Sequence, residues 1–204
     1  MISYVFCLVH FPPLLKSATM PIATNPASST KAAVPPGIWC PVISLYKTTK
    51  RQEIDLDASY RYFSHLIRGG VHGLVLQGST AEAALLSPQE RIDLIHCARR
   101  AAADLGVPRF PIAAGISGQS TNETITLVGD AASAGADFGL LLPPSYWSKA
   151  VTNDTIIDFY QEVADVSPIP IICYNVRFSH HEKSALSKLN HRILVSRSYS
   201  WYRP

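Results

Sequence analysis

Three short stretches of the chain hold side chains able to grip an anion and move protons. In QGSTAE (77–82), Ser79 and Thr80 follow a glycine. Small hydroxyl residues at such a place let backbone N–H groups approach a carboxylate or phosphate closely. Read alone, the stretch is more readily a plain turn. LLPPSYWS (141–148) sets Tyr146 and Trp147 behind two prolines, either as site residues or as an aromatic lid. CYNV (173–176) ends an apolar run in Tyr174. A phenol there can donate or accept a proton, or it can be a core tyrosine with a satisfied hydroxyl. Each signal is weak by itself. Their weight depends on whether the surrounding elements bring them to one place.

The elements repeat one unit. GIWCPVISLY (37–46) reads as a strand, and DASYRYFSHLIRGG (57–70) spaces Tyr60, Phe63, Leu66 and Ile67 along one helical face before Gly69-Gly70 stops it. GLVLQG (73–78) is a short apolar strand. The helix after it starts at Ser87, with Pro88 at the first helical position and Glu90 completing a capping box, and stops before Gly106. FPIAAG (110–115) is the next strand, followed by a helix with a second capping box, Ser120 and Glu123, that ends at Gly135. DFGLLLPP (137–144), a helix over 153–166 capped by Asn153, and IPIICYNV (169–176) complete a β-α-β-α-β-α-β-α-β order. Continuous apolar strands without alternation suit a parallel sheet buried on both faces. Right-handed crossovers then give a (β/α)8 barrel or an open doubly wound sheet. In both, ligands bind at the C-terminal ends of strands, where Ser79, Thr80, Tyr146 and Tyr174 all fall. No GxGxxG or GxxxxGK[ST] follows the first strand, which argues against a nucleotide fold.

Composition narrows the class. The chain has 204 residues and a net charge of +3. Residues 177–204 hold six Lys or Arg and one acid, a net of +5, which leaves −2 for the rest. The basic character therefore belongs to the tail and does not support a nucleic-acid partner for the body. Cys7, Cys40, Cys97 and Cys173 show neither CxxC nor zinc-ligand spacing, so reduced thiols are expected and no metal. Residues 1–36 read as a flexible leader. Their apolar start is too short to span a membrane and lacks the basic residues of a secretory signal. Met20 is a second candidate start. A mitochondrial presequence fits less well than a cytoplasmic location, because arginine is absent and lysine sparse.

The segments GIWCPVISLY, GGVHGLVLQGSTAEAALLSPQER, PIAAGISGQSTNETITL, AGADFGLLLPPSYW and PIPIICYNV, over about residues 37–176, resemble the dihydrodipicolinate synthase / N-acetylneuraminate lyase superfamily. Their wording resembles fungal members close to 4-hydroxy-2-oxoglutarate aldolase and 2-keto-3-deoxy-sugar-acid aldolases. The resemblance implies class I aldolase chemistry on a (β/α)8 barrel, with no separate cofactor. A lysine amine condenses with the ketone of a pyruvate-type 2-oxo acid, and the iminium serves as an electron sink for C–C cleavage or formation. It further implies that Ser79 and Thr80 hold the substrate carboxylate, that Thr80 and Tyr146 belong to a proton relay, that Tyr174 shuttles protons, and that members are homo-oligomers, with Tyr146 reaching a neighbouring subunit in many of them.

The pattern breaks after Val176. The family continues with proline and sets its Schiff-base lysine on strand six, about 28 residues after the tyrosine. Here Arg177 follows, and the corresponding position is Tyr202. Lys183 and Lys188 fit neither the spacing nor a strand. The expected architecture is thus a partial (β/α)8 barrel of about five strands, with strands one and five as open edges and an aberrant tail over 177–204. The expected function is a Schiff-base lyase-family chain without its Schiff-base lysine, inactive as written. The alternative is a non-catalytic partner of a longer relative.

Overall fold

Four helices form where cap chemistry and spacing direct. Helix α1 (Leu56–Arg68) starts at Asp55, whose carboxylate accepts from the Ala58 amide at 2.8 Å, and it turns Phe63 into the core. Helix α2 (Pro88–Asp104) carries the full capping box: Ser87 accepts from the Glu90 amide, and Glu90 accepts from the Ser87 amide at 2.9 Å. Helix α3 (Thr121–Ser133) is capped by Ser120, but its capping box is not closed. The Glu123 carboxylate instead accepts from the Gln119 amide at 2.7 Å, which tightens the loop ahead of the helix. Helix α4 (Asn153–Val166) is capped by Thr152 and not by Asn153 as expected; the Thr152 hydroxyl accepts from the Thr155 amide, and Asn153 is the first helical residue.

The computed structural model describes residues 34–146 and 151–174, and the backbone of 193–195. Most of the leader, Trp147, Asn175, Val176, Lys183, Lys188 and the rest of the tail lie outside the described residues.

The strands are β1 (Trp39–Pro41), β2 (Gly73–Leu76), β3 (Ile112–Gly115), β4 (Phe138–Leu141), β5 (Ile171–Cys173) and β6 (Ile193–Val195). They form one parallel sheet in the order β1-β2-β3-β4-β5-β6. A doubly wound sheet reverses its strand order at a switch point. This sheet never reverses, which is the winding of a barrel. The sixth strand was not anticipated. It covers the β5 edge that the sequence led us to expect open: the apolar Ile193–Val195 triplet aligns with Ile171–Cys173.

Alternation along each strand sorts the core onto two faces. Leu74, Leu76, Ile112, Ala114, Leu141 and Ile171 pack against the helices. Trp39, Val75, Ala113, Phe138, Leu140 and Ile172 make a second cluster on the opposite face, joined by Tyr174. The Trp39 and Phe138 rings meet edge-to-face at 5.8 Å. Their strands are three spacings apart, about 14 Å in a flat sheet, so the sheet curls toward this face. Trp39 also explains Gly73, because a β-carbon there would sit 2.5 Å from the indole.

Burial favours the neutral form of the core's thiols and of the Tyr160 phenol. It raises the Cys97 thiol, pushes Cys173 up to about 12, and raises Tyr160, whose hydroxyl donates to the Leu141 carbonyl at 3.0 Å. The folded chain thus keeps protons that the unfolded chain gives up from the ordinary thiol value of 9.0 upward. Stability from these groups is fully present below that pH and is lost as pH rises toward 12. Thermal melts across this range should show a midpoint that is flat on the neutral side and falls progressively on the alkaline side. A midpoint that rises there would contradict the burial of these groups.

Candidate active site

All strand C-termini lie on one rim, and neighbouring loops on that rim are latched pair by pair. Ser44, after β1, donates to the Ala81 carbonyl in the β2–α2 loop at 2.6 Å. Arg91, in the first turn of α2, donates to the Gly115 carbonyl at the end of β3 (3.2 Å) and to the Ala83 carbonyl (2.6 Å). Ser117, after β3, accepts from the Leu142 amide after β4 at 2.8 Å. Gln119 accepts from the amides of Ser145 and Tyr146 at 3.3 and 3.1 Å. The Tyr174 amide donates to Leu141 at 2.9 Å. The rim is therefore a continuous set of short connections from β1 to β5.

Ser79 and Thr80 sit in a 3-10 turn over Ser79–Ala81 that Gly78 precedes. The turn's own bonds use the amides of Ala81 and Glu82, which donate to Gly78 and Ser79 at 3.1 and 3.2 Å. The Ser79 and Thr80 amides precede these bonds, in the position from which a turn can donate outward. Ser79 is exposed and Thr80 half-buried. Two non-glycine residues in the left-handed region bracket the turn, Gln77 (φ 56) and Glu82 (φ 54). Such conformations cost about 1–3 kcal/mol each and persist only where surroundings impose them.

Tyr174 is half-buried on the concave face beside the second core cluster, and burial raises its phenol above the ordinary value. At neutral pH it is a neutral hydroxyl, able to give a proton and take one back. Tyr146 lies apart from that face: it is 76% exposed on the β4–α4 loop and lines a groove of about 570 Å³ with Gln119, Phe159 and Glu162. The structure thus pairs Ser79 with Thr80 in one turn, puts Tyr174 three strands along the same rim, and leaves Tyr146 facing outward. No group of three His, Cys, Asp or Glu able to hold a metal occurs among the described residues.

Arg91, Gln77, Ser117 and Gln119 were not singled out in the sequence. One signal for Arg91 was available: it falls three and four residues before Leu94 and Ile95 on the buried stripe of α2.

Residues 36–186 match the profile of the dihydrodipicolinate synthetase family. The chain belongs to the dihydrodipicolinate synthetase family. It is 42% identical over 140 residues to a mitochondrial protein of Coccidioides immitis named for 4-hydroxy-2-oxoglutarate aldolase; the match covers 69% of this chain and 43% of that one. It is 37% identical over 141 residues to the L-threo-3-deoxy-hexylosonate aldolase of Aspergillus niger, covering 69% and 42%. Among solved structures, a Coccidioides immitis protein of the family superposes with a TM-score of 0.67 at 38% identity, covering 74% of this chain and 47% of that one. An Escherichia coli K12 prophage protein of the family, crystallised with pyruvate, superposes at 0.64 with 26% identity, covering 76% and 52%. The chain spans less than half the length of the curated relatives it matches.

Within this family member the rim leaves little tolerance. A β-carbon on Gly115 would lie 1.8 Å from the Gln77 carbonyl oxygen, so only glycine lets β2 and β3 close at the point where the Ser79–Thr80 turn begins. Gly115→Ala should cost about 1–3 kcal/mol through overpacking, read as a lower chemical-denaturation midpoint. A midpoint equal to wild type would show that this contact does not constrain the rim.

Proposed function

We propose that this chain binds a pyruvate-type 2-oxo acid on the rim, with Ser79 and Thr80 receiving the carboxylate and Tyr174 handling the proton at the reacting carbonyl. The observation that carries the reading is the constrained turn at 79–81, one strand from Gly115 and on the same rim as a buried, neutral Tyr174. Family membership and the aldolase names of two relatives support the substrate class. Tyr146, exposed on the rim, is the residue we assign to the relay at a contact between subunits of a homo-oligomer.

The chemistry of the class needs an amine to condense with the ketone. The sixth strand is Ile193–Val195; it begins 19 residues after Tyr174 and carries no lysine. We therefore propose that the chain binds the 2-oxo acid without forming the Schiff base, so that it is a lyase-family chain without lyase turnover of its own. The same strand favours a second reading, a non-catalytic partner that docks on a longer family member through the Tyr146 side of the rim. Two relatives are named as mitochondrial, and we place the chain there in preference to the cytoplasm. Among the described residues no helix is long and apolar enough to cross a membrane.

The test is calorimetric titration with pyruvate, followed by borohydride and intact mass measurement. Saturable binding with the mass unchanged at 22.3 kDa is expected. A reduced pyruvate adduct would show a complete Schiff-base aldolase and overturn the non-catalytic assignment. Absence of binding would remove the substrate assignment.

A further inference from the structure

Two of the three arginines of helix α2, Arg91 and Arg99, lie eight residues apart and bolt opposite ends of the sheet. Eight residues of helix span about 12 Å, close to the length of a four-residue strand at about 3.3 Å per residue. Arg99 serves the N-terminal end. It donates to the Gly135 and Phe110 carbonyls, both at 2.6 Å, and pairs with Asp137, whose carboxylate also accepts from the Ile112 amide at 2.8 Å. Its positive charge is thus met by a carboxylate.

Arg91 is different. It is 9% exposed, and its hydrogen-bond acceptors are backbone carbonyls: Ala83 and Leu86 in the β2–α2 loop, at 2.6 and 3.5 Å, and Gly115 at the end of β3, at 3.2 Å. The Glu123 carboxylate favours its charge without a direct hydrogen bond, and burial outweighs that effect. The Gln77 side-chain amide donates to the Arg91 carbonyl at 2.6 Å. Gln77 and Glu82 are the two left-handed residues around the Ser79–Thr80 turn. A buried guanidinium costs several kcal/mol to desolvate, and a neutral apolar residue would fill the same place more cheaply. What the guanidinium adds is a planar fork that ties the arm after the turn, at Ala83 and Leu86, to the end of β3, while Gln77, on the arm before the turn, is held by the Arg91 main-chain carbonyl.

We infer that Arg91, with Gln77, is a positioning residue that holds the Ser79–Thr80 turn in its strained, ligand-ready shape, while Arg99 stabilises the fold without acting on the site. The inference rests on the 2-oxo acid reading of that turn, but its loop-holding half stands on geometry alone. Arg91 is not placed against the substrate.

The test compares the full 204-residue chain with R91M, R91K and R99M by amide hydrogen exchange, thermal melting and pyruvate titration. In R91M, the amides of Ala81, Glu82, Leu85 and Leu86 should exchange about tenfold faster, and pyruvate affinity should fall about tenfold with the melting transition retained. R91K keeps the charge but not the fork and should loosen the same amides by about threefold; it decides the question if R91M does not fold. R99M should melt at a lower temperature, while loop exchange and pyruvate affinity per folded molecule stay within about twofold of wild type. Loop exchange unchanged in R91M and R91K, or loosened as much in R99M, overturns the inference. Wild type that takes up no pyruvate overturns the 2-oxo acid reading instead, and the exchange comparison then decides the role of Arg91 by itself.

Discussion

One-directional parallel winding is the constraint on which the rest depends. Each strand here pairs with its successor in sequence, and each crossover returns over the same face. That arrangement gathers every strand's C-terminal end on one rim, so loops from distant parts of the chain become neighbours in strict order. It also curls the sheet, which brings Trp39 on β1 against Phe138 on β4. The concave face then offers Tyr174 a half-buried setting, and Ser79 and Thr80 lie in the turn after β2 on the same rim.

Holding that rim in one shape is a separate problem from folding the sheet. Strand pairing and the helix-side core, with Phe63, Ile95 and Val163 almost fully buried, account for the fold. The loops beyond the strands are joined to one another by polar latches. Ser44, Arg91, Ser117 and Gln119 each satisfy groups on the adjacent loop, so a displacement in one loop is felt by the next. The left-handed residues Gln77 and Glu82 lie where the Arg91 hydrogen bonds and the close approach of Gly115 to Gln77 constrain the loop.

Much of the fold was legible in the sequence because its signals are local. The Ser87–Glu90 capping box, the glycines after α1, α2 and α3, and the unbroken apolar strands each specify their element through nearby atoms. The misses are where an outcome depends on competition. Glu123 had two amides within reach and bonded Gln119 ahead of the helix; Thr152 displaced Asn153 as cap because its hydroxyl reaches Thr155. The strand at Ile193–Val195 is only three residues long, and its pairing with β5 is a tertiary choice that propensity does not announce. Ser79, Thr80, Tyr146 and Tyr174 could be named from the sequence because hydroxyls at strand ends are visible there. For Arg91 the spacing to Leu94 and Ile95 marks only the buried face of the helix; nothing in PQERIDLI shows which three carbonyls its guanidinium will meet.

In the proposed function, the turn after β2 is where a 2-oxo acid is received. The most direct measurement is amide chemical-shift mapping of the 15N-labelled chain during pyruvate titration. The account predicts saturating shifts concentrated on Gly78–Ala81 and around Tyr174, with Arg99, Asp137 and the opposite end of the sheet unmoved. Shifts confined to that opposite end, or to the groove beside Tyr146, would contradict it.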